Sequence, residues 1–359
     1  TEGVLDRLVA FRRDVVLLPV FGHEQHRELP LERERERVLD YRDRRRREVS
    51  RGELVQPGDR VLLVSQNCPQ WVVAFYAILR AQAAVVPVNP MSTAGEIAGY
   101  QQDSGATVAF VAQEFLANVA PCLEAHGGGL QHAVVHAYSD VLPCEGADAD
   151  LPEVVTAARV SLSHACLHAF EDALALAQQP LPYQGQPEDL AVLPYTSGTT
   201  GRSKGAMLSH DNLLSNARVL ADLWQFTEAD VLLHALPIFH THGLFVASNT
   251  AFLTGGKMIF LPGFDLEQVL AALPRVTAMM GVPTFYTRLL EDPRFDRDLV
   301  AHMRLFISGS APLLAETHLA FEARTGHRIL ERYGMTETNM NTSNPYAGER
   351  RAGTVGFPL

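Results

Sequence analysis

The segment from Leu193 to His210 gathers residue types that together bind anions. An apolar strand ending at Pro194 runs into a loop holding Thr196, Ser197, Gly198, Thr199, Thr200, Gly201 and Lys204. Glycine permits positive φ and close backbone approach, so successive N–H groups can converge on a phosphate. Hydroxyls add donors, and lysine brings a compact, mobile charge for terminal phosphates. Lys204 is one of only two lysines in the chain, the other being Lys257. The P-loop pattern G-x-x-x-x-G-K-[ST] is not met, because Ser203 precedes Lys204 and Gly205 follows it.

Tyr195-Thr-Ser-Gly-Thr-Thr-Gly-Arg-Ser-Lys-Gly205 resembles the nucleotide loop of the adenylate-forming enzymes, the group of acyl-CoA synthetases, luciferases and peptide-synthetase adenylation domains. It departs at Ser203, where that family usually has proline. Serine leaves φ free and the loop looser, without removing a donor. Further motifs follow in the family's order. Pro237-Ile-Phe-His-Thr-His-Gly-Leu244 is similar to the motif whose histidine or aromatic gates the acyl pocket, a role that falls to His240. Ser308-Gly-Ser-Ala-Pro312 resembles the segment running along adenine and acyl group, which implies contacts from Ser308, Gly309, Ser310, Ala311 and Pro312. Tyr333-Gly-Met-Thr-Glu-Thr338 resembles the motif that meets the α-phosphate and magnesium, through Tyr333, Gly334, Met335, Thr336 and Glu337. Ser308 and Met335 also belong to the implied acid site. Asp230 and Pro57–Val61 are positional similarities only.

Magnesium prefers octahedral oxygen ligands and usually takes one or two carboxylates plus phosphates and waters. The resemblance therefore makes Glu337 the metal carboxylate and Lys204 the charge balancing the departing pyrophosphate. Thr336 would donate to the α-phosphate, where charge shifts during attack. The implied reaction uses ATP, Mg2+ and coenzyme A: a carboxylate forms an acyl-adenylate, and the thiol then displaces AMP. A carboxylate needs no general base, so metal and cation positioning carry the first barrier.

From Ser209 onward the resemblance is closest to malonyl- and methylmalonyl-CoA synthetases, whereas the first half reads equally well as a fatty acyl-CoA synthetase. A malonate-like acid keeps a second carboxylate ionised, and burying it requires a cation. Arg288, one helical turn beyond Pro283-Thr-Phe-Tyr286, is the candidate, because a guanidinium can grip a carboxylate with two bonds. A fatty acid would need an apolar tunnel instead.

The elements that must position these residues read as α/β. Arg60–Val64, a helix from about Cys68 to Gln82, and Ala84–Val88 form a βαβ unit. Further strands are expected at Thr107–Ala112, Ala133–Ala137, Leu190–Pro194, Lys257–Leu261, Val276–Gly281, Arg304–Ser308 and Arg328–Tyr333. Helical patterns cover Asp211–Leu223, Leu266–Leu273 and Leu314–Thr325. A composition shift near Ala147–Pro152 and the turn-rich Gln179–Pro187 offer candidate boundaries, with a first α/β sub-domain expected over 1–185 and a second over 186–359. The resemblance implies the large N-terminal domain of the adenylate-forming fold, two αβα sub-domains with a small β-barrel. It also implies a smaller C-terminal domain beyond this sequence, with a second lysine and the thiol-side contacts, so this chain alone would turn over weakly or not at all.

Composition narrows the alternatives. With 30 Lys+Arg against 41 Asp+Glu, the chain is acidic and a poor partner for nucleic acid. No apolar run reaches the roughly 20 residues of a membrane helix. Cys68, Cys122, Cys144 and Cys166 form no C-x-x-C and read as free thiols of a reducing cytoplasm. His164, Cys166 and His168, at helical spacing, read as packing or helix surface because Ala165 stands where the zinc-protease motif needs glutamate. Leu31–Arg51 holds nine arginines among six acidic residues and reads as a solvated, exposed segment.

The small-molecule partners are thus a carboxylic acid, ATP and coenzyme A, with a homo-oligomer left open. A carboxylate–CoA ligase is the leading reading. A nucleotide or acyl binder without catalysis is the alternative of another class, and a P-loop ATPase is disfavoured by loop spacing.

Overall fold

The structure, a computed structural model, describes residues 55–123, 129–141, 152–164, 166–175, 183–196 and 203–359. The charged segment 31–51, Cys144, residues 147–151 and 179–182 of the two boundary stretches, and the loop residues Ser197, Gly198, Thr199, Thr200 and Gly201 lie outside these.

Strand β1 (Arg60–Val64), helix α1 (Pro69–Arg80) and β2 (Ala84–Val88) form the anticipated βαβ unit, with β1 and β2 parallel from Arg60↔Ala84 to Val64↔Val88. Helix α1 starts where the extended Cys68 accepts the Trp71 N–H on its sulfur at 3.4 Å and Pro69 enters the first turn. Along the chain follow β3 (Val108–Ala112), β4 (His132–His136), β5 (Leu167–Ala169), β6 (Leu190–Val192), the ribbon strands β7 (Tyr195–Thr196) and β8 (Lys204–Gly205), and β9 (Leu208–Ser209). The first sheet has the order β5-β4-β3-β1-β2-β6-β9 and is parallel except for β9. The second contains β10 (Val231–His234), β11 (Lys257–Phe260), β12 (Ala278–Gly281), β13 (Leu305–Ser308), β14 (Leu330–Met335), β15 (Asn339–Ser343) and β16 (Phe357–Pro358). Its order is β11-β10-β12-β13-β14-β15-β16, parallel through β14 and antiparallel beyond.

Both sheets are covered on both faces, which explains why their strands read as unbroken apolar runs. On β1, Val61 and Leu63 face a core with Trp71 and Phe75, while Leu62 and Val64 face another with Ile97 and Val119. On the second sheet, Met279 and Phe306 meet Tyr286 and Phe321, and Met280 and Ile307 meet Leu220 and Trp224.

Three expectations change. Leu190–Val192 lies after the anticipated 185/186 division yet belongs to the first sheet, because Val192 pairs with Val85 and Leu208 closes that edge. Sheet membership therefore changes over after Ser209. His168 lies in strand β5, not a helix, and its Nε2 sits 3.0 Å from His132 Nδ1 across the sheet. No closed barrel forms among the described residues; the last strands extend the second sheet instead. Cys68, Cys122 and Cys166 are free thiols. No helix of the described residues is long and apolar enough to cross a membrane.

Candidate active site

In a parallel sheet, ligands meet loops at the carboxyl ends of the strands, near the point where strand order reverses. In the second sheet that point is β10, flanked by β11 and β12. Pro237–Leu244 follows β10 there, and Ser308–Pro312 leaves β13 beside it. His234 closes β10 and is fully buried; its Nε2 lies 2.8 Å from Gly243 O and 3.3 Å from Ser248 Oγ. Burial pushes its pKa down to about 4, so this imidazole is neutral. It anchors a π-helical segment, His242–Ser248, of the kind often found at functional sites. Gly243 is required, since a side chain would collide with the Pro237 carbonyl.

Within the same region, His242 Nδ1 lies 3.1 Å from Ser310 Oγ. Burial, then the charge of Arg332, then His234, hold the His242 pKa well below the usual value. Ser310 has φ +69°, an unusual conformation for a residue with a side chain. Arg332 on β14 is 4% exposed and lies against Gly309, where a Cβ would come within 2.7 Å of its Nε. Burial pulls the guanidinium pKa down to about 9, so it stays a cation at neutral pH.

A second cluster forms around the β14–β15 hairpin. Its turn carries Thr336, half-buried, and Glu337, exposed, closed by a Thr338 N–H bond to Met335 O at 3.3 Å. Helix α2 (His210–Leu223) holds this hairpin. Asn216 donates to Met340 O at 3.0 Å and accepts from Met340 N at 3.2 Å, and Asn339 Nδ2 donates to Asn212 O at 3.3 Å. A cleft of about 300 Å³ lies between helix and hairpin, with Glu337 on its wall. The helix begins immediately after β8 and β9, capped by Ser209, so one rigid element joins the strand bearing Lys204 to the turn bearing Glu337.

The sequence profile of the AMP-binding enzyme family matches residues 51–359, well over half of the chain. This chain belongs to the AMP-binding enzyme family. A mitochondrial malonate–CoA ligase of Mus musculus is 31% identical over 378 residues, covering 100% of this chain and 59% of the relative. A long-chain-fatty-acid–CoA ligase of Bacillus subtilis is 31% identical over 316 residues, covering 85% and 56%. The crystal structure of ATP-bound MatB from Rhodopseudomonas palustris is 44% identical with a TM-score of 0.72, covering 88% of this chain and 56% of that one. The chain thus spans a little over half the length of these relatives.

The residues anticipated for an AMP-binding enzyme fall into distinct places. Thr196 is half-buried in β7, and its Oγ1 donates to Lys204 O at 3.4 Å. Lys204 and Glu337 are exposed, and neither has an ion-pair partner among the described residues. Ser308 is buried at the end of β13, while Ala311, Tyr333 and Met335 are exposed and Gly334 is half-buried. His240 has an exposed face, yet the protein packed behind it lowers its pKa, and its ring tilts against Phe239 at 4.5 Å. Arg288 is exposed and lies over the Phe264 ring at 5.0 Å, with no ion pair among the described residues. Asp230 is structural: it pairs with Arg304 at the opposite end of the strands. Sequence reasoning passed over His242 and Arg332. His242 stood inside a quoted motif, but Arg332 lay in a strand pattern with no signal of its burial.

Proposed function

We propose that this chain is the nucleotide- and acid-binding part of an ATP-dependent carboxylate–CoA ligase, with a malonate-type acid as substrate. The observation that carries this reading is the clamp of Asn212 and Asn216 on the Thr336–Glu337 hairpin, which couples that turn to the segment bearing Lys204. Phosphoryl chemistry of this kind depends on positioning and charge rather than on covalent help from the protein. The similarity to a malonate–CoA ligase and to ATP-bound MatB supports the choice of acid.

In this reading a carboxylate oxygen bonds to the α-phosphorus of ATP and the bond to pyrophosphate breaks. Coenzyme A sulfur then bonds to the acyl carbon and AMP leaves. Lys204 offsets charge on the departing pyrophosphate, and Thr336 donates to the α-phosphate. The His240 side chain, neutral and beside Phe239, borders the acid. The backbone from Ser308 through Gly309, Ser310, Ala311 to Pro312 lines adenine and acid, with Tyr333, Gly334 and Met335 opposite. Thr196, Ser197, Gly198, Thr199, Thr200 and Gly201 are the residues assigned to bind the phosphates.

Magnesium fits the residues present. No group of three His, Cys, Asp or Glu side chains forms a metal cage among the described residues, but Glu337 is a free, exposed carboxylate. That is the donor set for an ion that takes one carboxylate and fills its octahedron with phosphate and water. When bound, magnesium would neutralise phosphate charge. We also assign the protein to a reducing, cytoplasmic setting, supported by its free thiols.

The test is a melting-temperature titration of this chain with Mg-ATP. Ligand at about 100 times Kd adds roughly 2.7 kcal/mol to a native state that alone binds it. A folded sample whose melting point ignores Mg-ATP would refute the reading.

A further inference from the structure

Lys204 sits on a strand that neither seven-stranded sheet holds. Strands β7 and β8 pair with each other, Tyr195 opposite Gly205 and Thr196 opposite Lys204. A two-stranded ribbon of this kind is marginal by itself. Ser203, which enters β8, fixes no φ. A contact outside the ribbon must therefore decide where it presents the lysine.

The Tyr195 side chain supplies that contact. Its hydroxyl donates to Asp103 Oδ2 at 2.7 Å, and its ring stacks on Tyr100 with centroids 4.6 Å apart. Tyr100 and Asp103 lie three residues apart on the helix Ala94–Ser104, so one helix face offers both partners. A carboxylate is a strong acceptor for a phenol, and the stacked ring restricts where that hydroxyl can point. The ring also lies against the second strand of the ribbon, where a Cβ on Gly205 would stand 3.4 Å from Tyr195 Cζ. Tyr195 thus touches both the helix and the residue that follows Lys204.

The helix is a firm support. Thr93 and Glu96 form a capping box at its start, and Gly105 ends it at φ +65°. Ile97 is fully buried, and Gln101 is buried with its Nε2 donating to Ala106 O at 2.8 Å.

Resting on the reading of the chain as a carboxylate–CoA ligase in which Lys204 meets pyrophosphate, we propose that Tyr195 and Asp103 are positioning residues. They fix the ribbon so that Lys204 faces the terminal phosphates of ATP, and neither touches the reacting atoms. Their effect falls on the β- and γ-phosphates and not on the adenosine, because Lys204 is the cation that β8 carries.

The test compares binding of Mg-ATP and of AMP to this chain by calorimetry. Tyr195→Phe keeps the stacked ring and loses the hydrogen bond, so ATP should weaken by about 3- to 10-fold, the range of one hydrogen bond, with AMP unchanged. Asp103→Ala should match it, while Asp103→Asn, which keeps an acceptor oxygen, should retain most of the affinity. In a Lys204→Met background Tyr195→Phe should add nothing, since the group it positions is gone. Asp103 is exposed, so its alanine variant carries the test should Tyr195→Phe not fold. Unchanged ATP affinity in the folded variants overturns the proposal, as does equal weakening of ATP and AMP or strict additivity with Lys204→Met.

A readout without nucleotide uses the chain's two lysines. Reductive methylation with carbon-13 keeps their charge and gives one dimethyl-lysine signal each for Lys204 and Lys257. Asp103→Ala should move the Lys204 signal and leave that of Lys257 in place; an unmoved pair overturns the proposal. A wild type that does not bind Mg-ATP, or binding that Lys204→Met leaves intact, would instead defeat the underlying reading of Lys204.

Discussion

Arg304 donates to both oxygens of Asp230, from Nε at 2.6 Å and from Nη2 at 2.8 Å. Thr277 Oγ1 adds a third bond to Asp230 at 2.7 Å. The three residues immediately precede β13, β10 and β12, so one carboxylate pins three strands at the end opposite the candidate site. The carboxyl ends can then carry strained turns and unpaired groups because the amino ends are tied.

Asp230→Asn should destabilise the chain by about 3 kcal/mol at pH 7, as loss of one partner of a buried pair does. Burial raises the Asp230 pKa, but bonds from Arg304, the Thr227 N–H and Thr277 outweigh it and the net shift is downward. A depressed folded pKa gives stability that is complete above the unfolded value of about 4 and is lost as pH falls through the folded value. Urea unfolding of both proteins should therefore show a large gap at pH 7 that narrows below pH ~4. A gap that is constant with pH would contradict this account.

Asn67 joins the two sheets. Its Nδ2 donates to Leu236 O at 2.8 Å and Leu261 O at 3.0 Å, while its Oδ1 accepts from Ile238 N at 2.8 Å. Asn67→Ala leaves three buried backbone groups unpaired and should cost about 3 kcal/mol or more. Asn67→Asp places carboxylate oxygen against two carbonyls and should be worse than alanine at pH 7. Melting curves that rank Asp above Ala in stability would disprove the assignment of donor and acceptor.

Gly309→Ala should cost about 1–3 kcal/mol through overpacking against Arg332. In an Arg332→Met background the same substitution should cost less, because the obstructing guanidinium is gone. A double-mutant cycle by chemical denaturation measures this coupling. Strict additivity would show that the two residues do not compete for one space.

The paired roles proposed for Lys204 and Glu337 separate under metal removal. Lys204→Ala should reduce the ATP-induced melting shift with or without magnesium. Glu337→Ala should reduce only the part that EDTA abolishes. Equal responses of the two variants to EDTA would merge roles that the proposed function keeps apart.

Much of this protein is local and was therefore legible in its residues. The βαβ unit at Arg60–Val88, the parallel strands and the long helices follow from apolar runs buried on both faces and from stops such as Gly326, which ends its helix at φ +79°. The motifs around Lys204, His240, Ser308 and Glu337 were also readable, because each is contiguous and chemically unusual. What tertiary structure alone decided is which distant groups meet. Asp230 finds Arg304 across 74 positions, a pairing that makes a strand anchor of a residue the sequence marked only by a positional similarity. Leu190–Val192 joins the earlier sheet because its partner is Val85, a contact no local pattern announces. Arg288 and Arg332 are both arginines near apolar residues in sequence. Phe264 holds the first at the surface, whereas the packing of β14 against Gly309 buries the second without an anion. Burial and pairing depend on the neighbours that folding supplies, and these lie far away along the chain.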